Sequence, residues 1–380
     1  MSRVSTFLLT CMCAMLALPL GAIAQQPRGE LSGTYRAEVV RVLESEMREV
    51  PGTGTERLFQ TIEARLLEGE AMGDIVTVNN DYLALERGDK LFVLHYTDFD
   101  GTAQYSVQDV DRRGALLLLL ALFVAGIVAL GGWYGVRALV SLTASLFVLA
   151  YVLVPGLLAG WPPLFTCFVV ATAVLGGAIF LTHGWNRESL IAFLGTLTAV
   201  AGTLLLAAWS VSFAQLSGFS ADESVALNFN TRGALDIVAL LVGGIVIGAL
   251  GVLDDVAITQ VSVVRELLAG HSTRGRKEIF FRAMRVGREH VGAVVNTLAL
   301  AYVGVSLPLV LLMHLSPASG SALFNMELFA VEIVRTVVGS FGIILAVPLV
   351  TLLAVRYLPR GGVDAGESGQ RTATCGHPHS

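Results

Sequence analysis

Residues 232–268, RGALDIVALLVGGIVIGALGVLDDVAITQVSVVRELL, constrain this chain most, because an apolar run long enough to cross a bilayer carries two adjacent carboxylates near its far end. At 1.5 Å per residue the step from Asp236 to Asp254 covers roughly 27 Å, about one hydrocarbon thickness. Asp236 thus marks one membrane face, and Asp254 and Asp255 lie near the other. On a helix turning about 100° per residue, Gly244, Gly248, Gly251 and Asp255 fall on one narrow face. Glycines at that spacing let another helix approach closely in lipid, so the face reads as a contact seam that aims Asp255 into the bundle. If the helix continues past the pair, Thr259 and Ser262 extend the same face with hydroxyls, whereas Asp254 lies about 80° off the seam and reads as interfacial. A carboxylate within a bilayer costs on the order of 2.5–3.5 kcal/mol at the centre, and such residues mark ion or proton routes. The alternative is that the span ends at Leu253 and both acids sit in headgroup water. Against it, an anion at a helix C-terminus opposes the helix dipole.

Of 380 residues 54% are hydrophobic and only 14% charged, too apolar for a soluble domain of ordinary composition. The fold class expected is a polytopic α-helical membrane protein. Residues 1–24 read as an export signal, with Arg3, an apolar run from Phe7 to Leu18, Pro19 and the Ala22-Ile23-Ala24 site; an uncleaved anchor is the alternative. Cys11, Cys13, Cys167 and Cys375 offer no disulfide framework. Cys375, His377 and His379 could hold a soft metal, but residues 358–380 read first as a solvated tail, so no metal site and no cofactor are expected.

Residues 30–111 are charged and β-branched. Alternation over Tyr35 to Leu43, Leu58 to Leu67, Ile75 to Val78, Leu91 to Tyr96 and Tyr105 to Val110 predicts five short strands. Turns at Pro51-Gly52, Gly69, Asn79-Asn80-Asp81 and Arg87-Gly88-Asp89 separate them. A small all-β barrel of OB or SH3-like kind is expected. It lacks the basic aromatic surface of a nucleic-acid binder and reads as a docking or gating module on the outer face, one that could recruit an envelope partner.

Seven apolar runs follow, near 115–134, 138–158, 163–182, 190–213, 235–255, 291–314 and 336–355. With the barrel outside, the inner segments carry Arg137, Arg187, Arg265, Arg274, Arg276, Lys277, Arg282, Arg285, Arg288, Arg356, Arg360 and Arg371. The outer ones carry only Arg112, Arg113, Arg232 and Arg335. That bias places the barrel outside a bacterial cytoplasmic membrane and the C-terminus inside. The inner basic loop, with Ile279, Phe280, Phe281 and Met284, predicts an amphipathic helix on anionic lipid. Glu289, Gly292 and Asn296 share a face at the start of the sixth span, where Asn296 needs a partner away from water. Before the last span, Glu332 and Arg335 stand at salt-bridge spacing in an expected interfacial helix that also holds Asn325 and Glu327. Pro308 and Pro348 predict kinks.

Three stretches, TRGALDIVALLVGGIVIGALGVLDDVAITQ, GREHVGAVVNTLALAYVGVSLPLVLL and NMELFAVEIVRTVVGSFGIILAVPLV, resemble the YibE/F family of bacterial multipass membrane proteins. The resemblance implies that Asp236, Gly248, Gly251, Asp255, Asn296, Thr297, Glu327, Glu332, Arg335 and Gly339 fall on the family pattern, while Asp254 departs from it. It implies an architecture and no activity. The leading expectation is a transporter in which Asp255, packed on the glycine seam and close to Asn296, binds a proton or small cation. Asp254, Thr259, Asp236, Glu332 and Arg335 are the further candidates. The second expectation is a membrane scaffold that recruits an envelope protein through residues 30–111. An enzyme is not expected: there is no second acidic motif for magnesium diphosphate, no separated aspartate pair, no HExxH and no glycine-rich phosphate loop.

Overall fold

A computed structural model describes residues 30–50, 54–69, 71–81, 83–97, 103–270, 275–316 and 320–359. The export signal, the Pro51-Gly52 turn and the tail with Cys375, His377 and His379 fall outside the described residues. Two compact units divide between Leu130 and Gly131.

The first unit holds a five-stranded barrel made of β1 (Glu30–Val50), β2 (Thr55–Leu66), β3 (Ile75–Asn80), β4 (Lys90–Thr97) and β5 (Ala103–Val110). The strands close in the order β1-β2-β3-β5-β4, with β3 and β5 parallel and the other pairs antiparallel. Period-two alternation sends Val39, Ile62, Leu66, Val78, Leu91 and Val93 into one core. Strand β1 runs well beyond the expected Leu43. Register shifts between Val39 and Arg41 and between Val42 and Glu44 re-aim it, and Glu44 to Val50 continue as a mostly exposed arm paired with β2. That arm lacks apolar alternation because neither of its faces meets the core. Gly69, at φ 93°, is a turn position where a Cβ would lie 2.3 Å from the Tyr35 ring, so both backbone and space demand glycine.

Asp111 closes the barrel's end electrostatically. Its carboxylate accepts hydrogen bonds from Arg113 at 2.8 Å and from Arg36 at 3.2 Å, and its side chain is 7% exposed. The Arg113 hydrogen bond holds the Asp111 carboxyl well below the usual carboxylate range, against the opposing effect of burial. A depressed folded value stabilises fully above the unfolded carboxylate value near about 4, and the contribution is lost as pH falls below it. The midpoint of chemical unfolding of the barrel is therefore expected to drop as pH is lowered below about 4, and Asp111→Asn should flatten that drop, as read by denaturant titration at several pH values.

The helices are α1 (Arg113–Val148), α2 (Val154–Leu158), α3 (Pro163–His183), α4 (Arg187–Phe213), α5 (Asp222–Asn230), α6 (Ile237–Gly270), α7 (Arg276–Val305), α8 (Leu307–Leu315), α9 (Gly320–Asn325) and α10 (Glu327–Tyr357). A π-helical turn, Leu149–Leu153, joins α1 to α2. Among the described residues five stretches are long and apolar enough to cross a membrane, or six if α7 and α8, bent by 65°, form one span. The count differs from the expected seven chiefly because the first two runs form one 46-residue helical stretch, Arg113–Leu158. Within it Gly132 breaks the helix, at φ 52° and ψ −128°.

Three expectations on the later spans need correction. Helix α6 does not stop near Asp255 but continues to Gly270, and α7 begins at Arg276 and runs unbroken into the sixth span. The basic segment is thus the adjoining ends of two long helices and not a separate surface helix, because Ile279 and Ala283 bury their side chains in the same core. Likewise the segment around Glu332 is continuous with the last span in α10. Pro308 does mark a break, since it opens α8 after the bend at Ser306, whereas α10 carries Pro348 inside one continuous helix. Arg276 donates to the carbonyls of Val355, Arg356 and Leu358, which caps the C-terminus of α10.

Candidate functional site

The helical core packs α3, α4, α7 and α10 around α6, and one stripe of α6 explains the arrangement. Val242, Val246, Ala249, Leu253, Val256 and Gln260 recur at steps of three and four, and all are buried. Gln260 is the polar member. Its Nε2 donates to the Ala283 carbonyl of α7 at 3.0 Å and to Thr351 Oγ1 of α10 at 2.7 Å, and Thr351 donates onward to the Val347 carbonyl at 2.6 Å. Away from water these partners replace hydration, so three helices are fixed at one level.

Glycines permit the close approaches, but not the ones on the expected seam. A Cβ at Gly195 of α4 would lie 2.6 Å from Val350 Cγ2, and one at Gly243 of α6 would lie 2.2 Å from Cys167 Sγ of α3. At Gly287 of α7 it would meet Val347 at 2.6 Å and Gln260 at 2.9 Å, and at Gly342 of α10 it would meet Thr203 at 2.5 Å. By contrast, Gly244, Gly248, Gly251 and Asp255 do share a face, and that face is exposed. A Cβ at Gly244 or Gly251 meets nothing within 4 Å, and one at Gly248 meets only the Tyr302 hydroxyl, at 2.9 Å. The seam is corrected to an open arc. The branched side chains of α6 fill the gaps between helices better than glycine can, so they face the bundle and the smooth side is left over.

The order of the two acids reverses with it. Asp255 is exposed and Asp254 half-buried, and Asp254 Oδ1 accepts from the Asp255 backbone N–H at 2.9 Å. Both lie well inside α6, so neither stands at a helix end. His183, the last residue of α3, lies within electrostatic reach of Asp255. Asn296 is exposed on α7 and shares no hydrogen bond with Asp255 among the described residues, so the expected pairing is absent there. Thr259 is half-buried beside the acids on α6. Asp236 is exposed and caps the same helix, its Oδ1 accepting from the Ala239 N–H at 3.0 Å.

The predicted pair Glu332–Arg335 forms, at 2.7 Å, on α10. Glu332 and Tyr302 line a cavity of about 330 Å³ whose wall is otherwise mostly apolar, including Phe324, Phe329 and Val337. The expected interfacial acid Glu327 is an anchor: it accepts from Ser217 N at 2.8 Å, Ser217 Oγ at 2.7 Å and Gly218 N at 2.7 Å, in the loop after α4. Gln260 and Tyr302 are polar residues that the sequence did not single out, and His183 stood only among histidines without metal-ligand spacing. For Gln260 a signal existed, because it continues the Val242, Val246, Ala249, Leu253, Val256 series.

Long apolar helices in which buried Thr196 and Thr203 bond to carbonyls of their own helix and Gln260 bonds across to two neighbours, with large apolar side chains such as Leu205 and Leu352 turned outward, define a membrane-embedded helical protein. Residues 119–360 match the family model described as YibE/F-like protein, and the chain belongs to that family. No curated protein and no solved structure matches it.

The two kinds of glycine give a direct contrast. Gly195→Ala is expected to lower stability by about 1–3 kcal/mol through overpacking against Val350. Gly244→Ala, which meets nothing, should leave the melting temperature in detergent unchanged or slightly raised.

Proposed function

We propose that the chain is a permease-like protein of a bacterial cytoplasmic membrane that passes a proton or small cation along the open arc of α6, with Asp254 and Asp255 as the groups that bind it. The observation that carries this reading is the position of the two carboxylates. They stand inside the length of a membrane-spanning helix: Asp255 ends the glycine-floored arc, where an ion reaches it without unpacking the core, and Asp254 lies half-buried next to it. His183, within electrostatic reach of Asp255, supplies a second titratable group on the neighbouring helix. In this reading Asn296 and Thr259 serve as hydrogen-bonding groups near the path, and Asp236 and the pair Glu332–Arg335 hold the outer end of the bundle. In vesicles reconstituted with the protein and a pH-sensitive dye, Asp254→Asn with Asp255→Asn is expected to slow ion-driven proton flux by about tenfold or more, equivalent to about 1.4 kcal/mol in the barrier. Its melting temperature should stay that of the wild type. Unchanged flux in the double variant removes the reading.

The exposure of Asp255 favours a second reading, a scaffold without transport in which the arc packs against another protein and residues 30–111 recruit an envelope partner. Deleting residues 30–111 would then abolish function while the double aspartate variant retained it.

The finer topology belongs to the same proposal. The 46 residues of Arg113–Leu158 would extend about 69 Å as one helix, twice the hydrocarbon thickness. Two crossings meeting at Gly131–Gly132 fit that length, giving seven spans with the barrel, of OB-like strand order, outside and the C-terminus inside. With the native cysteines changed to serine, Gly132→Cys should resist a membrane-impermeant maleimide in intact cells and react after permeabilisation. Labelling in intact cells would place Gly132 on the other side.

A further inference from the structure

The barrel carries a polar concavity of about 400 Å³ along β1, β2 and β3, lined by Glu44, Glu46, Arg48, Phe59, Asn79 and Asp81, among others. Its floor is built rigidly. Gln60 and Asn80 are 7% and 2% exposed, and Asn80 Nδ2 donates to Gln60 Oε1 at 3.0 Å. Gln60 in turn donates to the Leu85 carbonyl at 3.2 Å and accepts from the Leu85 N–H at 2.8 Å. A floor whose polar atoms are already satisfied does not rearrange when the opening is filled.

The rim shows what chemistry the wall accepts. The Arg48 guanidinium lies 5.2 Å from the centroid of the Phe59 ring and forms an ion pair with Glu46. Ring and carboxylate together thus hold a cation supplied by the chain itself. Glu44 and Asp81, both exposed, have no ion-pair partner among the described residues, so the opening keeps an excess of negative charge. Phosphates and other anions are repelled by that charge. Among the described residues there is no group of three His, Cys, Asp or Glu side chains that could hold a metal ion.

We propose that this concavity binds a basic peptide segment of a partner protein, an Arg or Lys side chain entering beside Phe59 with its cation held by Glu44 and Asp81. The site is independent of the ion-path reading of α6, and failure of either leaves the other standing. Arg48 occupies part of the same wall and competes with the incoming cation.

The test is calorimetric titration of the full-length protein in detergent with an acetylated tetra-arginine peptide. Glu44→Gln with Asp81→Asn is expected to weaken binding by about tenfold or more through loss of two charge-assisted contacts. Both side chains are exposed, so the melting temperature should not move. Asp222→Asn with Glu223→Gln, an equal loss of negative charge in the helical unit, should leave the affinity unchanged. Arg48→Gln should tighten binding several-fold, while Arg87→Gln, an equal loss of positive charge elsewhere on the barrel, should not. Undiminished binding by the double variant overturns the proposal, as does an equal gain from Arg87→Gln, which would show only the bulk field. No binding of tetra-arginine, equal binding of tetra-glutamate, or binding of a neutral oligosaccharide such as chitotetraose in its place overturns it as well.

Discussion

Helices in a bilayer gain nothing by hiding leucines from one another, because lipid tails are as apolar as the side chains; association depends on close contact and on hydrogen bonds that lipid cannot offer. This bundle meets that constraint at a few crossings where a glycine lets a neighbour's side chain reach the helix backbone. Gly195 receives Val350, Gly342 receives Thr203, and Gly287 receives both Val347 and Gln260. The Gln260–Thr351 hydrogen bond lies at the last of these crossings, where α6, α7 and α10 converge. Dispersion and polar satisfaction therefore act at the same place, and the register of three helices follows from it.

What the packing leaves uncovered matters as much as what it covers. Once the branched stripe of α6 faces α4 and α10, the opposite arc of small residues has to face outward, and Asp255 comes with it. The contact to Cys167 at Gly243 and the contact to Tyr302 at Gly248 bound that arc on its two sides. An acid placed there avoids the full desolvation of a closed core while remaining on a membrane helix.

Much of the architecture could be read from residue order alone: the five strands, the apolar helices, the breaks at Pro308 and near Gly132, and the Glu332–Arg335 pair. The family resemblance stated from three stretches also agrees with the match over residues 119–360. Periodicity could not decide which side of α6 packs, because a glycine stripe and a valine stripe both satisfy a helical repeat. Choosing needs the shape of the partners, which is set by α4 and α10 more than a hundred residues apart in sequence. The exposed β1 arm was missed for a related reason, since a strand that meets no core on either face carries no alternation. Helix extensions past Asp255 and before Val291 were hidden by their charge, which at the ends of long helices reflects water and headgroups and not a change of structure.

Helix α10 is held at both extremities. Glu327 gathers three donors from the loop that follows α4, and the guanidinium of Arg276 grips the last carbonyls at the other end. A helix so fastened acts as a fixed post. Displacement within the bundle then falls to the segment past Ser306, where the chain turns by 65° and the backbone ladder is already interrupted. The cavity beside Glu332 is walled on one side by the post and on the other by this bent piece, so any swing about Ser306 alters its width.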